Sequence, residues 1–214
     1  MRGTGMSLAA LAACVAAPAV GQSAREQSIS AYGRGDYAAA AEISRRACDE
    51  DDLASCTLLG ALHLDGLGVV QDESRAAVLF SKACDGGESA ACHNLGSMHI
   101  AGQGMPVDEA RAATFYNAAC DGGDAMGCSD LGVMYEDGRG VTGGVERAAT
   151  LYNRACVGGE PLGCYNLGRL FEDGVGVDHN PLLALEFYLQ AFDLGPNAGL
   201  MAHVEDAIER LGGF

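Results

Sequence analysis

Ala119-Cys120-Asp121-Gly122-Gly123-Asp124-Ala125-Met126-Gly127-Cys128-Ser129-Asp130-Leu131-Gly132-Val133-Met134-Tyr135-Glu136-Asp137-Gly138-Arg139-Gly140 decides the fold, because most of its landmarks return at a fixed distance. The pair Cys120/Cys128 is matched by Cys48/Cys56, Cys84/Cys92 and Cys156/Cys164; partners stand 8 residues apart and successive pairs 36 apart. A strict period of this size marks a helical repeat array. We count offsets from repeat starts at Asp36, Asp72, Asp108, Gly144 and Asn180. Offset 4 is then always Ala (Ala40, Ala76, Ala112, Ala148, Ala184), as is offset 11 (Ala47, Ala83, Ala119, Ala155, Ala191). Offsets 23 and 24 read Leu-Gly four times, from Leu59-Gly60 to Leu167-Gly168, and offsets 30 and 32 are Gly in the same four units.

One unit reads as two helices. Asp or Asn at offset 0 caps the first, and Pro181 follows Asn180 at the first helical position. Small residues at offsets 4 and 11 allow close helix approach. Asp85-Gly86-Gly87, Asp121-Gly122-Gly123 and Val157-Gly158-Gly159 make the turn, with Gly free to take positive φ. A second helix of about 13 residues runs to the Gly-x-Gly loop. Neither helix can bury its apolar face alone, so stacking supplies the core. The fold class expected is all-α, a solenoid of about five 36-residue helix pairs: 36–71, 72–107, 108–143, 144–179 and 180–214, the last a C-terminal cap.

Each cysteine pair sits across the tight turn, at the end of one helix and one turn into the next, within disulfide reach. The spacing predicts Cys48–Cys56, Cys84–Cys92, Cys120–Cys128 and Cys156–Cys164. Metal ligation is the competing reading, but the pairs lack the close Cys-x-x-Cys spacing; no metal and no cofactor are assigned. In the fifth repeat Phe192 and Leu200 replace the two cysteines, and Leu200, Val204, Ile208 and Leu211 form one apolar stripe. Glu205, Asp206, Glu209 and Arg210 should face water, as a cap requires.

Residues 1–21 read as a secretory signal peptide: one charge, Arg2, an apolar run from Met6 to Val20, and small residues before Gln22. The run is too short for a membrane span of about 20 residues. Leu11-Ala12-Ala13-Cys14 also resembles a lipobox, so lipidation at Cys14 stays open beside ordinary cleavage. Residues 22–35 are expected to be a linker, and 36–214 the repeat domain. Net charge is −16, which leaves no basic footprint for nucleic acid and favours a basic or neutral partner.

The runs Leu131–Val141 (Leu-Gly-x-Met-Tyr-Glu-Asp-Gly-Arg-Gly-Val) and Leu167–Val177 resemble the Sel1-like repeat. With a Cys-x7-Cys pair in each unit, the chain is similar to the Helicobacter cysteine-rich protein family from about Ala31 onward. That resemblance implies a right-handed αα-superhelix, export and an interaction role. Some members are described as β-lactamases or penicillin-binding proteins, which would make a β-lactam or cell-wall component a ligand. A mitochondrial relative is a respiratory-chain assembly factor.

The residues do not supply serine β-lactamase chemistry, which needs Lys one turn after the nucleophile. Lys82 is the only lysine, and Leu79 stands three before it. No catalytic residue is assigned. His63 and His99 share offset 27 with Tyr135 and Phe171, which reads as a packing column. The expected function is an exported, disulfide-stabilised scaffold for a peptide or protein. The resemblance puts the first helix of each unit on the concave face. Its offsets 8 to 10 give Arg46, Lys82, Tyr116, Asn117, Tyr152, Asn153 and Arg154 as candidate partner contacts, with inter-repeat packing of the tyrosines and a solvated face for the polar residues as the alternative.

Overall fold

The computed structural model describes residues 23–195 and 197–212. The leader and Cys14 lie outside them. The described residues form eleven helices: α1 (Ala24–Gly33), α2 (Tyr37–Asp49), α3 (Leu53–Asp65), α4 (Glu73–Asp85), α5 (Ser89–Ala101), α6 (Glu109–Asp121), α7 (Ala125–Asp137), α8 (Val145–Val157), α9 (Pro161–Asp173), α10 (Pro181–Asp193) and α11 (Ala198–Arg210). Consecutive helices pack as antiparallel neighbours in an αα-solenoid, in line with the period read from the sequence.

The caps follow the repeat. Asp36, Asp72, Asp108 and Asn180 each accept from the backbone N–H three residues on, at 2.8–3.2 Å. Gly144 has no side chain to do so. The second helices end at Gly66, Gly102, Gly138 and Gly174, all left-handed at φ 67–70°. The second glycine of each loop is demanded twice over. Gly68 and Gly140 also have positive φ, and a Cβ there would lie 2.3–2.4 Å from the backbone of Tyr37 and Glu109 at the start of α2 and α6.

The core runs between helices joined by these loops, the tightest pairs in the molecule. Phe80, Tyr116, Tyr152 and Tyr188 at offset 8 lie flat on Gly60, Gly96, Gly132 and Gly168. A Cβ on any of these glycines would meet the ring at 2.6–2.8 Å. The alanines of offsets 4 and 11 are buried throughout. All four expected disulfides are present, with Cα atoms 4.5–4.7 Å apart. In the fifth hairpin Phe192 and Leu200 pack against one apolar cluster, together with buried Val204 and Ile208.

Where a linker was expected at 22–35, residues 24–33 form a helix. Ser23 and Glu26 form a reciprocal capping box that starts α1, and Ala31 and Ser28 are buried. The helix packs on α2 and α3, so it covers an apolar face that α2 would otherwise present to water.

Candidate functional site

The structure redistributes the residues expected to meet a partner. Tyr116 and Tyr152 are buried. Tyr116 Oη lies 3.1 Å from Ser97 Oγ, and Tyr152 donates to Glu136 Oε2 at 2.8 Å. Their rings belong to the core because only a flat side chain fits over the facing glycine, so the expectation of partner contact at these two positions is corrected. Lys82 and Arg154, both at offset 10, reach back one repeat. Lys82 Nζ donates to the Cys48 carbonyl at 2.8 Å and pairs with Asp51 at 2.7 Å. Arg154 donates to the Cys120 carbonyl at 2.8 Å and to Asp121 at 3.1 Å. Both cations thus sit at the C-terminus of the preceding first helix, where the helix dipole favours them. Arg46 pairs with Glu42 in its own helix. Asn117 donates to Asp121 at 2.9 Å, and Asn153 is exposed.

The expected concave row is corrected as well. The odd-numbered helices approach one another across repeat boundaries, α1 with α3, α5 with α7 and α7 with α9. Among the described residues no even-numbered pair meets as closely. In a curved stack the crowded row lies inside, so the odd-numbered helices line the inner surface. The predicted contacts, all on even-numbered helices, lie on the wider row.

The inner row carries side chains that the sequence reading passed over. Ile29, Thr57, Leu58 and Ala61 line a mostly apolar hollow of about 280 Å³ across α1, α3 and α5, with Arg25 and Glu88 also among its walls. The same offsets continue through half-buried His93, Asn94 and Ser97, then Asp130 and Val133, then Tyr165 and Arg169. Toward the C-terminus this surface becomes ionic. His93 Nε2 lies 2.8 Å from Asp130 Oδ2 across α5 and α7. Arg169 of α9 donates to Glu136 of α7, and Arg210 of α11 pairs with Glu172 of α9 at 2.8 Å. Tyr152 and Tyr188 donate to the same two carboxylates from within the core.

The electrostatics follow from these contacts. Burial works against protonation of His93, but the Asp130 carboxylate outweighs it and raises the imidazole above its usual range. The Arg210 hydrogen bond holds Glu172 below the ordinary carboxylate range. Burial, then the carboxylate each hydroxyl touches, pushes Tyr152 and Tyr188 far up. The offset-27 column packs: His99 stacks on Phe115 at 5.4 Å and Phe171 on Phe187 at 5.7 Å.

Comparison with known proteins agrees with this architecture. The Sel1 repeat matches residues 53–88, 89–124, 125–159 and 161–196. These units begin at the odd-numbered helices, half a repeat away from the starts at Asp36, Asp72 and Asp108, and each spans a Gly-x-Gly loop with the tight helix pair around it. None of the curated proteins matches. A Sel1 repeat protein from Oxalobacter formigenes is similar at 24% identity and a TM-score of 0.75, over 84% of this chain and 72% of that one. c5321, a protective antigen present in uropathogenic Escherichia coli strains, is similar at 27% identity and a TM-score of 0.72, over 86% of this chain and 40% of that one. Helicobacter pylori cysteine rich protein B is 28% identical, with a TM-score of 0.49, over 61% of this chain and 93% of that one. With four matched units that together cover about two thirds of its residues, the chain belongs to the Sel1 repeat family.

Proposed function

We propose that this protein is an exported, disulfide-stapled scaffold that holds a segment of a partner protein along its inner, odd-numbered row. The observation that carries this reading is the graded inner surface. It is apolar and hollow beside Leu58 and Ile29 and becomes ionic from His93–Asp130 to Arg210–Glu172. A partner of matching polarity is held in one direction, with its apolar side chains over α1 to α5. The rigid hairpins contribute by ordering nothing on binding, which lowers the entropic cost of association. Export is supported by the four disulfides, which persist in oxidising compartments. Intact mass of the secreted chain should show a start near Gln22 and eight hydrogens missing, two per disulfide.

Photo-crosslinking amino acids at Thr57 and Tyr165, in the exporting host, are expected to trap the same partner. Leu58→Glu and Tyr165→Ala should each weaken its binding by roughly tenfold, the loss of one well-packed contact, measured below the melting transition of each variant because both side chains also pack against core clusters. No adduct from either inner position, or unchanged affinity in both variants, removes the reading.

A further inference from the structure

The wider row holds a second surface of different chemistry, independent of the inner face. Between α4 and α6 lies a cavity of about 530 Å³, lined by Ala77, Val78, Leu95, Met105, Val107 and Phe115, with His99 among its walls. His99 is 6% exposed, stacks on Phe115, and its Nδ1 has no hydrogen-bond partner. The rim is unusually apolar for exposed positions, with Val78 63% and Val107 61% accessible. Arg111 stands at this rim, its side chain 71% exposed and 3.9 Å from its only ion-pair partner among the described residues, Asp108. The Asp108 carboxylate is itself occupied in capping α6 through the Arg111 N–H.

The neighbouring repeats show why the cavity opens here. In the first repeat His63 Nδ1 lies 3.3 Å from the Val70 carbonyl, which ties the loop to the helix. Pro106 occupies the position of Val70 and lines the cavity instead, and His99 lacks the tie. In the third repeat the equivalent groove has Tyr135 in place of His99, and the offset-3 arginine, Arg147, lies over that ring at 5.1 Å. Its guanidinium is thus engaged by an aromatic face of its own chain. In the second repeat an open apolar cavity and an underused guanidinium coincide.

We propose that this cavity binds the C-terminus of a polypeptide whose last residues are apolar. One or two apolar side chains fill a space of this size, within the range of small-ligand sites. The terminal carboxylate, a few ångströms from the last side chain, then meets the Arg111 guanidinium in a two-pronged hydrogen bond. Ser74 and Ser81 around the mouth offer acceptors to the peptide N–H groups, which a simple alkyl acid does not have. A single carboxylate is also what this charge pattern admits, because a run of acidic residues would be repelled by a chain of net charge −16.

The test uses the oxidised chain and an acetylated hexapeptide ending in Val-Phe, as the free acid and as the C-terminal amide. Calorimetry should show the acid binding at least roughly tenfold more tightly, the worth of one charge-assisted hydrogen bond. NMR should place the largest shifts on His99 and Phe115. Arg111→Gln should erase the difference between acid and amide, and Val78→Glu at the exposed rim should abolish binding of the acid. Equal binding of acid and amide, shifts confined to Leu58 and Tyr165, or decanoate binding as well as the peptide would each overturn the assignment. The first and third of these leave the inner-face reading intact, and the second supports it.

Discussion

At the scale of single residues, the aromatic-on-glycine contact decides how adjacent units fit. Gly132 faces the Tyr152 ring, and a Cβ there would sit 2.6 Å from it. Gly132→Ala should therefore overpack the joint and destabilise the fold by about 1–3 kcal/mol, read from chemical unfolding, whereas Gly123→Ala meets no neighbour and costs only its positive φ. His99 gives a pH dependence. Burial, with Arg111 nearby, lowers its pKa from 6.5, so the unfolded chain takes up a proton before the folded one. Stability is then lost as pH falls from 6.5 toward the depressed folded value. His93 works the other way: its raised value contributes stability below 6.5 that disappears as pH rises through the folded pKa. His99→Phe, the residue that repeat four already has in Phe171, should remove the acid-side loss and leave the alkaline-side one. Parallel melting curves of the variant and the parent between pH 5 and 7 would contradict this. The cysteine pairs and the Asp caps were legible in the sequence because each depends on neighbours along the chain. For Tyr116 and Tyr152 the sequence left packing beside partner contact, and Phe80 in the same column points to packing: a column that tolerates loss of the hydroxyl belongs to the core.

At the scale of elements, each of the first four hairpins is closed by one covalent bond over a nine-residue loop. Removing it by the double change Cys120→Ser and Cys128→Ser should cost about 2.5 kcal/mol in the chain-entropy model, measured by denaturant titration. Four such bonds together rival the net stability of an ordinary domain, about 5–15 kcal/mol. The fifth hairpin shows the alternative, with Phe192 and Leu200 in the apolar cluster of α10 and α11. The N-terminal helix escaped the sequence reading because α1 carries neither cysteine nor Leu-Gly. Its one local signal was the Ser23-x-x-Glu26 capping box. Which row is inner also escaped it: curvature is set by a small difference in spacing between two rows of helices, and no single residue records it.

At the scale of the whole molecule, charge and connectivity act together. Within a net charge of −16, four cations bridge consecutive repeats, Lys82 to Asp51, Arg154 to Asp121, Arg169 to Glu136 and Arg210 to Glu172, and Arg139 pairs with Glu109 inside the third repeat. The remaining acidic groups repel one another over distances that salt screens, about 10 Å at 0.1 M. Raising salt from 10 mM to 0.3 M should raise the melting temperature, and a fall would mean that the ion-pair ladder outweighs the general repulsion.

The hairpin disulfides also bear on how the chain is made. The eight cysteines among the described residues allow 105 pairings, yet here they bond in consecutive pairs along the chain. Under the proposed export, an oxidant that joins each thiol to its predecessor as the chain emerges would produce the native set in one pass. No proofreading by disulfide exchange is needed, and adding or deleting a whole 36-residue unit leaves the rule unchanged.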